Sequence, residues 1–272
     1  MPHFWQKLQG SPPQLSLDRW GGFGDGRAMF PIRDHNPSER TPYVTFVLIA
    51  ANVAIFLAGL VLFQDQRALS QLYYDYALLP IRLSNGENYT ALVTAIFLHG
   101  GFMHLAGNML FLWIFGDNLE DEMGHLPFLV FYLVCGIGAS LAQYGADPLS
   151  TIPTVGASGA IAGVMGGYLL LFPKARVDIF IFFIVFFRIL PIPAWIMLGL
   201  WFVIQLFSGI NVDTSNGGVA YWAHAGGFVI GAILTVPLWI KLGATLFWRQ
   251  THGHPPHPEA EYTRSNIPIV RR

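Results

Sequence analysis

Six stretches of this chain are apolar for long enough to make a lipid bilayer the expected solvent. A hydrocarbon core about 30 Å thick asks for roughly 20 apolar residues of helix, at about 1.5 Å of rise each. The stretches run from Tyr43 to Phe63, Phe102 to Asn118, Leu126 to Tyr144, Ser158 to Phe172, Pro193 to Ile210 and Tyr221 to Lys241. The fourth is short for a full crossing and reads as starting below the surface. Composition agrees: 53% of residues are hydrophobic and 11% charged, where a soluble domain carries roughly 25% charge. The expected fold is all-α, a polytopic bundle of six transmembrane helices over residues 42–242 in direct contact with the lipid bilayer.

The flanks read differently. Residues 1–41 hold Gly21, Gly22, Gly24 and Gly26 among charges, with no apolar core segment of a signal peptide. Residues 243–272 are polar and rich in His and Pro. Both are expected to be solvated tails. The segment Asp178 to Leu190 is very apolar but too short to cross, contains Arg188 and stops at Pro191 and Pro193. It reads as a re-entrant or membrane-surface piece. A net charge of −1 provides no basic surface for nucleic acid, and the single cysteine, Cys135, cannot form an internal disulfide.

Charge orients the bundle. With six spans and a cytoplasmic N-terminus, only Arg67 and Arg82 of the 15 Lys and Arg fall outside. That bias follows the positive-inside rule and puts both termini in the cytoplasm, as expected for a multi-pass protein of the cell (inner) membrane.

Polar side chains inside spans are costly and mark functional sites by default. The second span carries His104 and Asn108, four residues apart on one helix face. The fourth opens with Gly156-Ala157-Ser158-Gly159, and the sixth carries His224 near its start. These three spans run in the same direction and hold their polar residues in their first halves, so the residues share one depth. A seventh span at Asp178 to Leu190 would put His224 on the wrong side of Ser158. Gly159, Gly163 and Gly167 recur every four residues, as do Gly227 and Gly231 with Ala223 one turn earlier. Small residues at this spacing let helix backbones approach closely in lipid. A short serine side chain needs that approach to reach a histidine at about 2.6–3.2 Å.

The parts suit nucleophilic catalysis. Ser158 is the candidate nucleophile and His224 its base. Ser158 opens a helix, where free N–H groups favour an oxyanion. Asn108 and His104 are candidate side-chain donors to that oxyanion. No Asp or Glu in a span is placed to orient His224, so a dyad is expected. No cofactor is implied.

These residues resemble the rhomboid family of intramembrane serine proteases. The resemblance rests on His104-Leu105-Ala106-Gly107-Asn108-Met109, on Gly156-Ala157-Ser158-Gly159, and on Ala223-His224 followed by Gly227 and Gly231. It covers about Pro42 to Lys241. It implies a six-helix core, a Ser–His dyad, an oxyanion site from the second span, and transmembrane protein substrates cleaved near a small residue. His99 matches a histidine the family places before its second span. Two departures stand out. Four residues after the serine, where many members carry an aromatic residue that packs on the histidine, this chain has Ala162. The Trp-Arg pair of the family's first loop is absent between Gln64 and Gly101, where Tyr74, Asp75 and Tyr76 do not match it.

Other readings compete. Ser158 could be a packing residue, His224 a hydrogen-bonded structural one, and His104 and Asn108 helix–helix glue. A catalytically silent relative that binds membrane helices would not need both Ser158 and His224. A transporter would be expected to show an internal repeat, and none is apparent. Gly22-Phe23-Gly24-Asp25 resembles an element of intramembrane aspartyl proteases but lacks a second aspartate and a surrounding span. His252, His254 and His257 sit in a proline-rich tail ill-suited to a metal, and no His-Glu-x-x-His motif occurs. Asn88-Tyr89-Thr90 fits a glycosylation acceptor.

Overall fold

A computed structural model describes residues 27–36, 38–63, 65–183, 186–213 and 217–256. The glycine-rich stretch with Gly22-Phe23-Gly24-Asp25, and the tail from His257, lie outside the described residues. In chain order the main elements are β1 (Arg27–Asp34), α1 (Tyr43–Leu62), α2 (Gln66–Tyr76), α3 (Phe102–Met123), α4 (His125–Ala146) and α5 (Ser158–Leu171). There follow β2 (Arg176–Phe183), β3 (Phe186–Pro193), α6 (Ala194–Asn211), α7 (Tyr221–Lys241) and α8 (Thr245–Thr251).

The chain is mostly helical, as its apolar runs require. Among the described residues α1, α4, α6 and α7 are long and apolar enough to cross a membrane. A fifth crossing results if Ala91–Phe97 and α3, which meet at a bend of 94°, count as one span. The protein is a multi-pass membrane protein. The helix at Ser158–Leu171 has 14 residues, or about 21 Å of length. It is buried without interruption from Gly159 to Tyr168, enclosed by α3, α4 and α7. A helix walled in by protein need not match the bilayer thickness. By contrast α1 buries only Thr45, Leu48 and Asn52, and α6 only Ala194, Leu198 and Gln205. Their remaining apolar faces point outward, as helices that meet lipid do.

Three expectations are corrected. The segment Asp178 to Leu190 is neither re-entrant helix nor surface helix: β2 and β3 pair antiparallel, from Arg176 opposite Pro193 to Phe183 opposite Phe186. Its β-branched and aromatic residues suit a strand, and Pro191 and Pro193 lie on an edge strand, where a missing N–H costs no ladder bond. Second, residues 27–34 are not solvated tail. They form the third strand, in the order β1-β2-β3, with a register shift between Pro31 and Arg33. The fold is therefore a helical bundle with a small sheet, not purely α. Third, residues 243–256 pack back on the bundle. Phe247 of α8 is buried, the Trp248 indole donates to the Leu170 carbonyl at 3.0 Å, and the Lys174 N–H donates to the Gly253 carbonyl at 2.9 Å.

The loop between α1 and α3 is built from short helices. Asp65 caps α2 by accepting from the Ala68 N–H at 2.8 Å. The Arg82 guanidinium lies 4.1 Å from the Tyr74 ring centroid and donates to the Tyr74 carbonyl. A cation–aromatic pair thus braces this loop without a Trp-Arg sequence.

At the sheet end of the bundle, buried carboxyl groups join elements far apart in sequence. The first turn of α1 has no side-chain cap of its own. Glu120 of α3, 1% exposed, supplies one. One of its oxygens accepts from the Val44 N–H at 2.8 Å, the other from the Thr45 N–H and hydroxyl at 2.8 Å each. His125 Nδ1 meets the first oxygen at 2.6 Å. Orphan N–H groups at a helix start and a carboxylate suit each other, which accounts for a buried acid in the last turns of α3. Nearby, Asp34 at the end of β1 accepts from Asn118 Nδ2 at 2.8 Å and the Tyr168 hydroxyl at 3.1 Å. These bonds pin the strand to α3 and α5. His35, next in the chain, meets Asp178 of β2 at 2.7 Å.

Two outcomes follow from these carboxyl groups. Glu120→Ala strands two N–H groups and a hydroxyl, and a loss of roughly 1–3 kcal/mol per orphaned group sets the scale. Denaturation in mixed micelles is expected to show a lower unfolding midpoint for it, but not for the exposed Glu39→Ala. Burial, and secondarily the charge of Asp117, pushes the Asp34 carboxyl from its ordinary 3.8 up to about 8. Between those values the folded protein holds a proton that the unfolded chain has released, so this group's contribution to stability is fullest below pH 4 and is lost as pH rises toward 8. Asp34→Asn is expected to flatten the decline of thermal midpoint across that window. Parallel curves for variant and parent would contradict the assignment.

Candidate active site

The site forms where α3, α5, α6 and α7 meet. Helices α5 and α7 run parallel and in backbone contact. A Cβ on Gly227 would strike the Gly159 carbonyl, and one on Gly231 the backbone of Gly163. A Cβ on Gly159 would lie 2.5 Å from that of Ala139, and one on Gly163 2.5 Å from that of Cys135, both on α4. Glycine is required at these contacts because no side chain fits. The approach sets Ser158 Oγ 2.8 Å from His224 Nε2. Gln143 of α4 accepts from the Ala223 N–H at 3.3 Å and so anchors the first turn of the histidine's helix.

The imidazole is held on two further sides from α6. Its Nδ1 lies 2.8 Å from Gln205 Oε1, and the Trp201 ring lies 5.8 Å away, centroid to centroid, at 31° between planes. Ala162 is fully buried and leaves the ring to Trp201. Sequence reading passes over both residues. Gln205 had a signal, since it is a polar side chain inside an apolar run, which is a mark of function. Trp201 is four residues earlier and shares its helix face. An indole in an apolar helix carries no such mark.

From α3, His104 enters the same region, with Asn108 one turn further along that helix. The Gly100 N–H donates to His104 Nδ1 at 3.4 Å. That leaves Nε2 as the protonated, donating nitrogen. Gly156 has φ +131°, and a Cβ there would lie 2.7 Å from His104 Nε2 and 3.5 Å from Ser158 Oγ. Gly156 is thus required on both conformational and steric grounds, and His104 and Ser158 face one spot. Asn108 is buried, and its Nδ2 has no protein partner. An unpartnered buried amide donor is costly unless something else uses it. His99 is buried beside His104, their rings 5.1 Å apart. A cavity of about 20 Å³ next to Ser158, bordered by Gly136, Ala139 and Ser140 of α4, has room for about one water.

In chemical terms this is a serine hydroxyl against an imidazole, at a helix N-terminus whose first N–H groups have no intrahelical partner. Two side-chain donors lie on a neighbouring helix, all within a membrane-spanning bundle. Such a site can activate an oxygen nucleophile and stabilise an oxyanion. Residues 86–241, more than half of the chain, match the family model for the rhomboid domain. The protein belongs to the rhomboid family. It is 31% identical over 149 residues to the mitochondrial rhomboid protein 1 of Saccharomyces cerevisiae, covering 53% of this chain and 40% of that one. Two Bacillus subtilis proteins are also similar. The putative rhomboid protease YdcA is 41% identical over 87 residues (32% of this chain, 43% of that one), and the rhomboid protease GluP 42% over 87 residues (32% and 16%). The chain spans less than half the length of these relatives.

The glycine contacts make a direct forecast. Gly231→Ala places a methyl against the Gly163 backbone, and overpacking of this kind typically costs about 1–3 kcal/mol. It is expected to part α7 from α5 and to slow labelling of Ser158 by a fluorophosphonate. Labelling at the parent rate would show that the backbone contact does not govern the Ser158–His224 distance.

Proposed function

We propose that this protein is an intramembrane serine endopeptidase that hydrolyses peptide bonds in or near the transmembrane helices of membrane-protein substrates. The observation that carries this reading is the 2.8 Å approach of Ser158 Oγ to His224 Nε2 inside an apolar bundle. The similarity to two Bacillus subtilis proteins named as rhomboid proteases, one of them as a putative one, supports the same reading.

In the mechanism, His224 Nε2 takes the Ser158 hydroxyl proton as Oγ attacks the scissile carbonyl carbon. The carbonyl oxygen becomes an oxyanion facing the N-terminal N–H groups of α5, His104 Nε2 and Asn108 Nδ2. Those donors are in position before the charge develops, so they stabilise the transition state without reorganising. The C–N bond breaks as the imidazolium returns the proton to the leaving amine. A water then attacks the acyl-enzyme ester with His224 again as base, and its proton returns to Ser158 Oγ. The cavity beside Ser158 is large enough to hold that water.

We read the topology as six spans, counting as crossings both α3, 22 residues long with His104, Asn108 and Asp117 among its apolar side chains, and the 14-residue, protein-enclosed α5. Both termini then face the cytoplasm and the site opens toward the outer face of the cell membrane, in keeping with the distribution of Lys and Arg.

Ser158→Ala and His224→Ala are each expected to abolish cleavage of a co-reconstituted single-span substrate while the protein stays inserted. Asn108→Ala is expected to lower kcat by about 10²–10³. Cleavage of the same bond by Ser158→Ala would refute the assignment of the nucleophile.

A further inference from the structure

The family resemblance implies a dyad, and a dyad leaves His224 Nδ1 without a role. In this chain that nitrogen has a partner. Gln205 Oε1 lies 2.8 Å from it, and Gln205 is 7% exposed. On the face of α6 turned to the bundle, the amide has little access to water as an alternative partner, so its bond to the imidazole is held in a low-dielectric setting. An amide oxygen can only accept. It therefore requires the proton of a neutral His224 to sit on Nδ1, which leaves the Nε2 lone pair facing Ser158 Oγ. With the other tautomer Nε2 would carry hydrogen and could not act as base. When His224 gains the serine proton, the Nδ1–H···Oε1 bond becomes charge-assisted and stronger. The same contact thus selects the base form and favours the imidazolium that forms in the transition state.

The second contact is steric. Trp201 and Gln205 are four residues apart on one face of α6, and the indole lies against the ring whose edge Gln205 holds. Rotation of the imidazole about its Cβ–Cγ bond is opposed by both. We infer that Gln205 is a positioning residue for the proposed hydrolysis, acting through His224 Nδ1 in the place a carboxylate holds in a Ser-His-Asp triad.

The inference rests on Ser158 and His224 being the reacting pair, and the experiment separates the two claims. Cleavage of a reconstituted single-span substrate is followed across pH 5–9 for the parent, Gln205→Leu, Gln205→Glu and Ser158→Ala. Gln205→Leu removes the acceptor and is expected to lower kcat by about 10–100-fold with KM within about twofold, because an unfixed tautomer costs catalysis rather than binding. Gln205→Glu restores an acceptor and adds charge at Nδ1. It is expected to recover most of the activity lost in Gln205→Leu, with the acid limb of the kcat/KM profile moved up by about one pH unit or more. A purely structural glutamine would not move that limb. The inference is overturned if Gln205→Leu keeps kcat within twofold of the parent, or if Gln205→Glu leaves the acid limb in place, while Ser158→Ala is inactive. Cleavage by Ser158→Ala would instead overturn the reading of the pair itself. Should Gln205→Leu fail to insert, the limb of Gln205→Glu decides alone.

Discussion

The arrangement of this bundle depends on the backbone contact between α5 and α7. In lipid, hydrocarbon around a helix is as apolar as the helix, so side-chain burial alone gives two helices little reason to meet. Contact has to come from close packing and from polar bonds that hydrocarbon cannot replace. Glycines at Gly159, Gly163, Gly227 and Gly231 remove the side chains that would hold the backbones apart. With the backbones touching, a serine side chain, which is among the shortest, reaches an imidazole on the next helix. Had larger residues lined either helix, Ser158 and His224 would share a depth and never meet. The enclosure of α5 follows from the same contact. A helix walled in by α3, α4 and α7 can be short and can start inside the bundle, which places its free N–H groups beside the reacting atoms.

The two ends of the bundle treat buried polar groups differently. At the sheet end they are joined. Glu120 accepts from two N–H groups and a hydroxyl, and Asp34 from an amide and a phenol. These bonds tie β1, α1, α3 and α5 together and leave those carboxyl oxygens occupied. At the site end Asn108 Nδ2 is buried without a protein partner, and the first N–H groups of α5 have none within the helix. Unmet donors cost stability where they are buried. The α5 N–H groups lie at Ser158, beside the spot that His104 Nε2 also faces, which suits a site that waits for negative charge. The fold is thus fastened at one end and left poised at the other.

Much of this was legible in the sequence, and the misses have physical causes. The span boundaries were readable because hydrocarbon imposes length and composition together, and Tyr221–Lys241 emerges with the limits its apolar run suggests. Ser158, His224, His104 and Asn108 stand out as candidates because a polar group in an apolar run is conspicuous. The hairpin at Arg176–Pro193 was not legible as a sheet. Its central strand needs β1 beside it, and no local pattern announces a partner so far away in the chain. The docking of residues 243–256 was missed for a related reason. Phe247 and Trp248 sit among polar residues, and only the bundle surface they meet makes them core. Glu120 stands in the sequence with Asp117, Asp121 and Glu122 near the end of an apolar run, and nothing local sets it apart. Its role depends on where α1 begins in space.

Ala162 shows how a site can change its supports and keep its geometry. An aromatic residue one turn after the serine would hold the imidazole from the nucleophile's own helix. Here position 162 is an alanine, and the ring is flanked by Trp201 from the helix that precedes the histidine's own. The substitution is not equivalent in mechanical terms. An aromatic on α5 is fixed by a helix buried on every side. Trp201 and Gln205 belong to α6, which buries only Ala194, Leu198 and Gln205 along its length. Of these three, Gln205 is the one whose bond reaches the imidazole. The orientation of His224 is therefore set partly by the rigid pair α5–α7 and partly by a helix whose hold on the bundle is narrower. Gln205 joins those two influences at one nitrogen, because its side chain both anchors α6 to the bundle and fixes the ring that faces Ser158.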